Sequence, residues 1–275
     1  MTLYQAIFLA VIQGFTEFLP ISSSAHLALA PWLFGWTDQG LAFDIALHFG
    51  TLLAVLLYFF RDWVQILGSA VRRDWGGDPD LRDNGNLLWY LAAGSIPIGI
   101  VGWFAKDAVE TTLRSPWVIG FMLISVGLLM GWADSTARRH KTVTHVTLYD
   151  ALAIGVAQAL AVVPGTSRSG ITITAGLLLG FDRAPAARFS FLLSTPAIAA
   201  AAAKAFYDLH QAGGIPPGER GVFIAGMLAS AVTGCMVIGF FLRYLRRANL
   251  RFFVAYRILF GILILALALL RRSGG

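Results

Sequence analysis

The chain has 275 residues, 57% of them hydrophobic and only 13% charged, with a mean hydropathy of +0.70. That balance excludes a soluble globular domain and reads as a polytopic membrane protein. A net charge of +6 would suggest nucleic acid in a soluble protein, but here the basic residues sit between apolar segments and read as topology signals, so no nucleic-acid partner is expected.

Met1 to Leu19 has no basic leading region and carries Gln13 and Glu17, so it does not read as a signal peptide. Residues 3–19 are expected to form an apolar helix that stops at Pro20. Ser22-Ser23-Ser24 follows, then a short apolar run over 25–34. A span needs about 20 residues, so neither piece crosses a membrane alone, and together they read as a re-entrant hairpin. A span is expected over 43–60, ending at Arg61-Asp62 and followed by a charged loop. Further spans are expected over 87–105 and 117–133, then a polar loop over 134–147. A second broken segment follows, 148–163 and 169–181, and then spans at 186–204, 221–243 and 252–270. The only cysteine, Cys235, lies in an apolar run, so neither a disulfide nor a thiolate metal site is available.

One broken segment and three spans thus occur twice, in about 1–133 and again in 148–270 of a single membrane domain, 1–275. Re-entrant hairpins return to the side they entered from, and three spans is an odd number, so the second half must be inverted. The fold class is therefore an all-α polytopic membrane protein with six transmembrane helices plus two re-entrant helical hairpins in an inverted-topology repeat. Its site is expected near the midplane between the halves. Thirteen Lys and Arg fall on one side and six on the other, with Arg168 and Arg257 inside the apolar segments. The richer side should be cytoplasmic, which turns both termini outward. Several bland readings go with this layout. Asp44 caps its span, His48 is a packed polar residue bordering the site, and Arg257 snorkels or pairs locally.

The second break, Pro164-Gly165-Thr166-Ser167-Arg168-Ser169-Gly170, is a polar heptad between apolar runs. An arginine at a helix centre in lipid costs roughly 3 kcal/mol or more, so Arg168 needs a reason to be there. Pro-Gly breaks the helix and Ser or Thr can cap a new one, whose N-terminal N–H groups favour anions. Two such half-helix N-termini meeting at mid-membrane, with Arg168 and the hydroxyls of Ser22, Ser23, Ser24, Ser167 and Ser169, make a pocket for phosphate or pyrophosphate. Taken alone, Ser22 or Ser23 is a helix cap and His26 a satisfied core residue. Glu17, Ser23, His26 and Arg168 together offer an acid/base, a nucleophile and an oxyanion clamp. Gln13 lies four residues before Glu17 on the same helix face, and the pair could share a divalent metal through oxygen.

The stretches Gln13-Gly14-Phe15-Thr16-Glu17-Phe18-Leu19-Pro20-Ile21-Ser22-Ser23-Ser24-Ala25-His26 and Pro164 to Gly170 resemble the two signatures of the undecaprenyl-diphosphate phosphatase family, the bacitracin-resistance proteins of bacteria. The likeness covers the whole chain in length and segment order. It implies an integral membrane enzyme that removes the terminal phosphate of undecaprenyl diphosphate, regenerating the lipid carrier for cell-wall synthesis. It also implies a divalent cation, Mg or Ca, and an outward-facing site in the cytoplasmic (inner) membrane. Carried over, Glu17 matches the second acid of a Glu/Gln-x-x-x-Glu motif. Ser23 matches the proposed nucleophile, His26 the catalytic histidine and Arg168 the phosphate-binding arginine. Ser22, Ser24, Gly165, Thr166, Ser167, Ser169 and Gly170 are expected around the substrate, with Glu17 and Gln13 at the metal. Gln13 stands where many relatives have glutamate, which removes one charge. Ser23, His26 and water stay open as the nucleophile. The partners expected are the polyprenyl diphosphate lipid and the bilayer, and a homodimer stays open. The rival class is a polyprenyl-phosphate transporter or flippase, since broken helices in inverted repeats are typical of transporters.

Overall fold

The computed structural model describes residues 1–37, 40–73, 75–110, 112–137, 140–211 and 214–273. Arg138 and Arg139, which entered the count of basic residues, lie outside them. The described residues are almost wholly helical. Two short helices, α1 (Leu3–Phe18) and α2 (Ser23–Phe34), make the first broken segment. They are followed by α3 (Leu41–Tyr58), α4 (Phe60–Ala70), the single turn α5 (Pro79–Arg82), α6 (Leu87–Glu110) and α7 (Pro116–Thr136). The second broken segment is α8 (Leu148–Ala159), one 3₁₀ turn and α9 (Arg168–Leu178). Three long helices close the chain: α10 (Arg183–Gln211), α11 (Arg220–Leu245) and α12 (Arg251–Ser273). Five described helices are long and apolar enough to cross a membrane, or six if the bent pair α3–α4 is one span.

That bend departs from the expected charged loop after residue 60. The chain turns by 71° at Phe59 and stays helical. Packing and polar contacts hold α4 in place, Gln65 bonding the Asp78 backbone among them. Ile66 is buried, and Asp62 accepts two hydrogen bonds from Arg188 of α10, at 2.6 and 2.9 Å. A helical stripe carrying one acid with a distant basic partner looks, in sequence, like a solvated loop.

The short helices dock by their apolar stripes. In α1, Ala6, Leu9, Ala10, Gln13, Gly14 and Glu17 are buried at helical spacing, and the helix packs on α11. In α8, Ala151, Ile154, Gly155 and Gln158 do the same against α6. Glycine allows the second contact: a Cβ at Gly155 would stand 2.1 Å from the Gly94 carbonyl oxygen. Helix α3 packs on both α10 and α11, and α7 runs along α12. The inner ends of the two broken segments thereby come together.

Candidate active site

At the first break α1 ends on Leu19, whose extended backbone (φ −73°, ψ 144°) is what a following proline demands. Ser22 then takes a positive φ of 75°, costly for a residue with a Cβ, and caps α2 by accepting the Ala25 N–H at 3.4 Å. At the second break Gly165 has φ 93°, and a Cβ there would lie 2.6 Å from the Ile119 carbonyl oxygen, so only glycine fits. Ser167 has φ 69° and caps α9 by accepting the Gly170 N–H at 3.1 Å. The breaks touch directly, since Ser169 Oγ donates to the Leu19 carbonyl at 3.0 Å.

The two new helix starts converge on one carboxylate. Glu17, 6% exposed, pairs through Oε1 with Arg168 Nη2. Its Oε2 accepts the Ser23 hydroxyl at 2.5 Å and the Gln13 amide at 2.8 Å. His48 of α3 brings Nε2 within 3.6 Å of the same oxygen. Ser23 and Arg168 are each the first residue of their half-helix, so both lie where N-terminal N–H groups are free for an anion. A hydroxyl donating to a buried carboxylate has the geometry that a nucleophile and its base would need.

His26 faces elsewhere. Its ring stacks on Phe260 and Tyr256, at centroid distances of 4.8 and 5.8 Å. Nδ1 lies 2.7 Å from the Ser22 carbonyl, which only accepts, so Nδ1 carries the hydrogen. Nε2 therefore accepts from the Tyr256 hydroxyl, 2.7 Å away.

Arg257 does not snorkel. It is fully buried and donates to the carbonyls of Pro20 (3.2 Å), Gly165 (2.9 Å) and Thr166 (3.0 Å), and to Met122 and Leu123 of α7. An open chain turn leaves carbonyls without helical partners, and this guanidinium satisfies those of both breaks at once.

A family profile described as bacitracin resistance protein BacA matches residues 6–263, which contain both breaks and every residue above. The chain belongs to the bacitracin resistance protein BacA family. Among the relatives of this BacA-family chain, a protein of Moorella thermoacetica is 49% identical over 99% of this chain and 100% of its own. One of Pelotomaculum thermopropionicum is 44% identical over 100% of both. One of Gemmatimonas aurantiaca is 46% identical over 97% of this chain and 98% of its own. Each bears the name undecaprenyl-diphosphatase.

In this BacA-family site Gln13, Glu17, Ser23 and Arg168 stand together as the sequence suggests. Ser22 and Ser167 spend their hydroxyls on caps, with Ser24 and Ser169 at 3.2 and 3.3 Å from them. Thr166 is buried with its Oγ1 unpartnered, and Gly170 donates its N–H to the cap. Sequence reasoning put His48 only at the border of the site and left Tyr256 and Arg257 outside it. The signal for Arg257 was its depth in an apolar span, the same signal that marked Arg168. Tyr256 carried none, because its partner lies 230 residues away. Among the described residues no three His, Cys, Asp or Glu side chains cluster as a metal site. The donor set still suits an oxygen-preferring cation. Gln13 Oε1 is buried with no partner, beside the Glu17 carboxylate.

Proposed function

We infer that the chain hydrolyses undecaprenyl diphosphate to undecaprenyl phosphate and inorganic phosphate, recycling the lipid carrier of cell-wall synthesis. The observation that carries this reading is the convergence of Ser23 and Arg168 on Glu17. The polyprenyl chain lies in lipid beside the helices while the diphosphate enters between the two half-helix starts. Arg168, held in register by Glu17, offers its remaining N–H groups to the terminal phosphate. Ser23 Oγ attacks the terminal phosphorus as its proton passes to Glu17. The phosphoanhydride bond breaks and undecaprenyl phosphate leaves. Water then opens the phosphoserine, and phosphate departs with Ser23 restored. His26, with both ring nitrogens engaged by the Ser22 carbonyl and the Tyr256 hydroxyl, fixes the start of α2 that carries Ser23.

Glu17 and Gln13 would hold a divalent cation of the Mg or Ca class. When bound, it supplies charge neutralisation for the diphosphate. The reading includes an inverted repeat of halves 1–133 and 148–270, supported by the way helix contacts pair off: α1 on α11 matches α8 on α6. It also includes the bacterial cytoplasmic membrane, with the site and both termini toward the outer face. The site is built within one chain, so a homodimer is not required for chemistry. A carrier needs no nucleophile–base pair, and Ser23–Glu17 is one.

The test is phosphate release from undecaprenyl diphosphate by the purified protein in detergent, where no transport can generate product. Wild type should release phosphate, and Ser23→Ala should lose activity by about 10³-fold or more. A Ser23→Ala enzyme near the wild-type rate would move the attack to water or His26.

A further inference from the structure

His48 lies on α3 one turn after Asp44, with its side chain 30% exposed. Its Nδ1 is 2.7 Å from the Asp44 carbonyl oxygen. As a carbonyl only accepts, Nδ1 carries the hydrogen, and the lone pair of the neutral ring is on Nε2. That nitrogen points at Glu17 Oε2 from 3.6 Å, too long for a hydrogen bond. In the neutral ring two electron-pair donors face one another across a gap. Metal-binding histidines share this arrangement, with one ring N–H tied to a backbone carbonyl and the other nitrogen left for the ion. The gap fits as well. Ligand bonds of about 2.1 Å let two donors on one small cation stand up to about 4.2 Å apart.

A second, independent feature lies at the same oxygen. Gln13 is fully buried, its Nε2 donates to Glu17 Oε2, and its Oε1 has no partner. A half-turn of the carboxamide brings Oε1 to the place of the N–H. Ser23 Oγ completes the group at 2.5 Å from Oε2. Arg168 takes the other carboxylate oxygen, which leaves Oε2 for the ion side.

We propose that His48 Nε2 is a ligand of the divalent cation at Glu17 and Gln13, adding one nitrogen donor to a site otherwise lined by oxygen. This rests on the reading that a divalent cation works at Glu17. The charge balance points the same way. Glu17 is already neutralised by Arg168 and Gln13 has no charge, so Coulomb attraction for the cation is weak and a further neutral donor adds to the hold on it. The alternative is a protonated His48 paired with Glu17, in which no nitrogen would touch the metal.

The probe is Mn(II) alone, added to the purified protein in detergent and followed by electron paramagnetic resonance, with spin-echo detection of directly bound ¹⁴N. Wild type should bind Mn(II) and show imidazole nitrogen modulation. His48→Asn keeps an N–H for the Asp44 carbonyl but lacks Nε2. It should lose the modulation and bind Mn(II) about 10-fold or more weakly. His48→Gln, which returns an oxygen near the Nε2 position, should also lose the modulation. Wild-type Mn(II) bound by oxygen alone, or modulation that survives in His48→Asn, would overturn the assignment while leaving an ion at Glu17. Failure of wild type to bind Mn(II), or binding as tight in Glu17→Gln as in wild type, would instead remove the ion from Glu17 and the proposal with it.

Discussion

At the first break Ser22 sits at φ 75°, ψ 92°, and at the second Ser167 sits at φ 69°, ψ 114°. The likeness runs through both segments in constant register. Thr2 opens α1 in a reciprocal cap with Gln5, and Thr147 opens α8 in one with Asp150. Gln13 and Gln158 are both fully buried, and Pro20 and Gly165 both give their carbonyls to Arg257. The side chains then diverge. Where the first break has Glu17, Ser23 and His26, the second has Val162, Arg168 and Ile171. The shared backbone makes two helix N-termini suited to an anion. The side chains at the site come from the positions that differ: one break supplies Glu17 and the Ser23 hydroxyl bonded to it, the other the Arg168 guanidinium paired with Glu17. Gln158 records the same difference. Both atoms of its amide are unpartnered, because valine stands where Gln13 finds a carboxylate.

Erasing the difference at its centre should have the largest effect. Glu17→Gln removes the base for Ser23 and the ionic partner of Arg168 together, and should slow phosphate release by about 10²-fold or more. A rate within a few fold of wild type would make Glu17 a packing residue and leave the two breaks chemically alike. Arg257 tests what the breaks share. Arg257→Met strips the donors from the Pro20, Gly165 and Thr166 carbonyls at once, and should cost about 3 kcal/mol of stability, read as a lowered midpoint of thermal unfolding in detergent. An unchanged midpoint would mean that water or α7 already satisfies those carbonyls. The smallest effect is expected at Gln158. Gln158→Leu removes an amide that bonds to nothing, so unfolding should stay within about 1 kcal/mol of wild type, on the stabilising side if it moves at all. Gln13→Leu in parallel should be clearly worse, because it takes a hydrogen bond from Glu17. Equal penalties at the two positions would show that the second break also relies on its glutamine.

The sequence by itself determined the membrane class, the two breaks and the residues that cap them. Each of these is written in short-range order. Span length follows from runs of apolar residues, a proline stops a helix where it stands, and Ser22 and Ser167 cap helices that begin at the next residue. Gln13 and Glu17 were also legible as a pair, since four residues on a helix is one turn. The tertiary structure alone decided the rest. Arg168 meets Glu17 across 151 residues, and His26 turns from Ser23 to Tyr256 across 230. Arg257 reaches both breaks from the last helix, His48 arrives beside Glu17 from α3, and just past the bend at Phe59 Arg188 of α10 holds Asp62. Such contacts depend on which faces of distant helices pack together. Local periodicity says that a helix has a buried face, but not whose buried face it will meet.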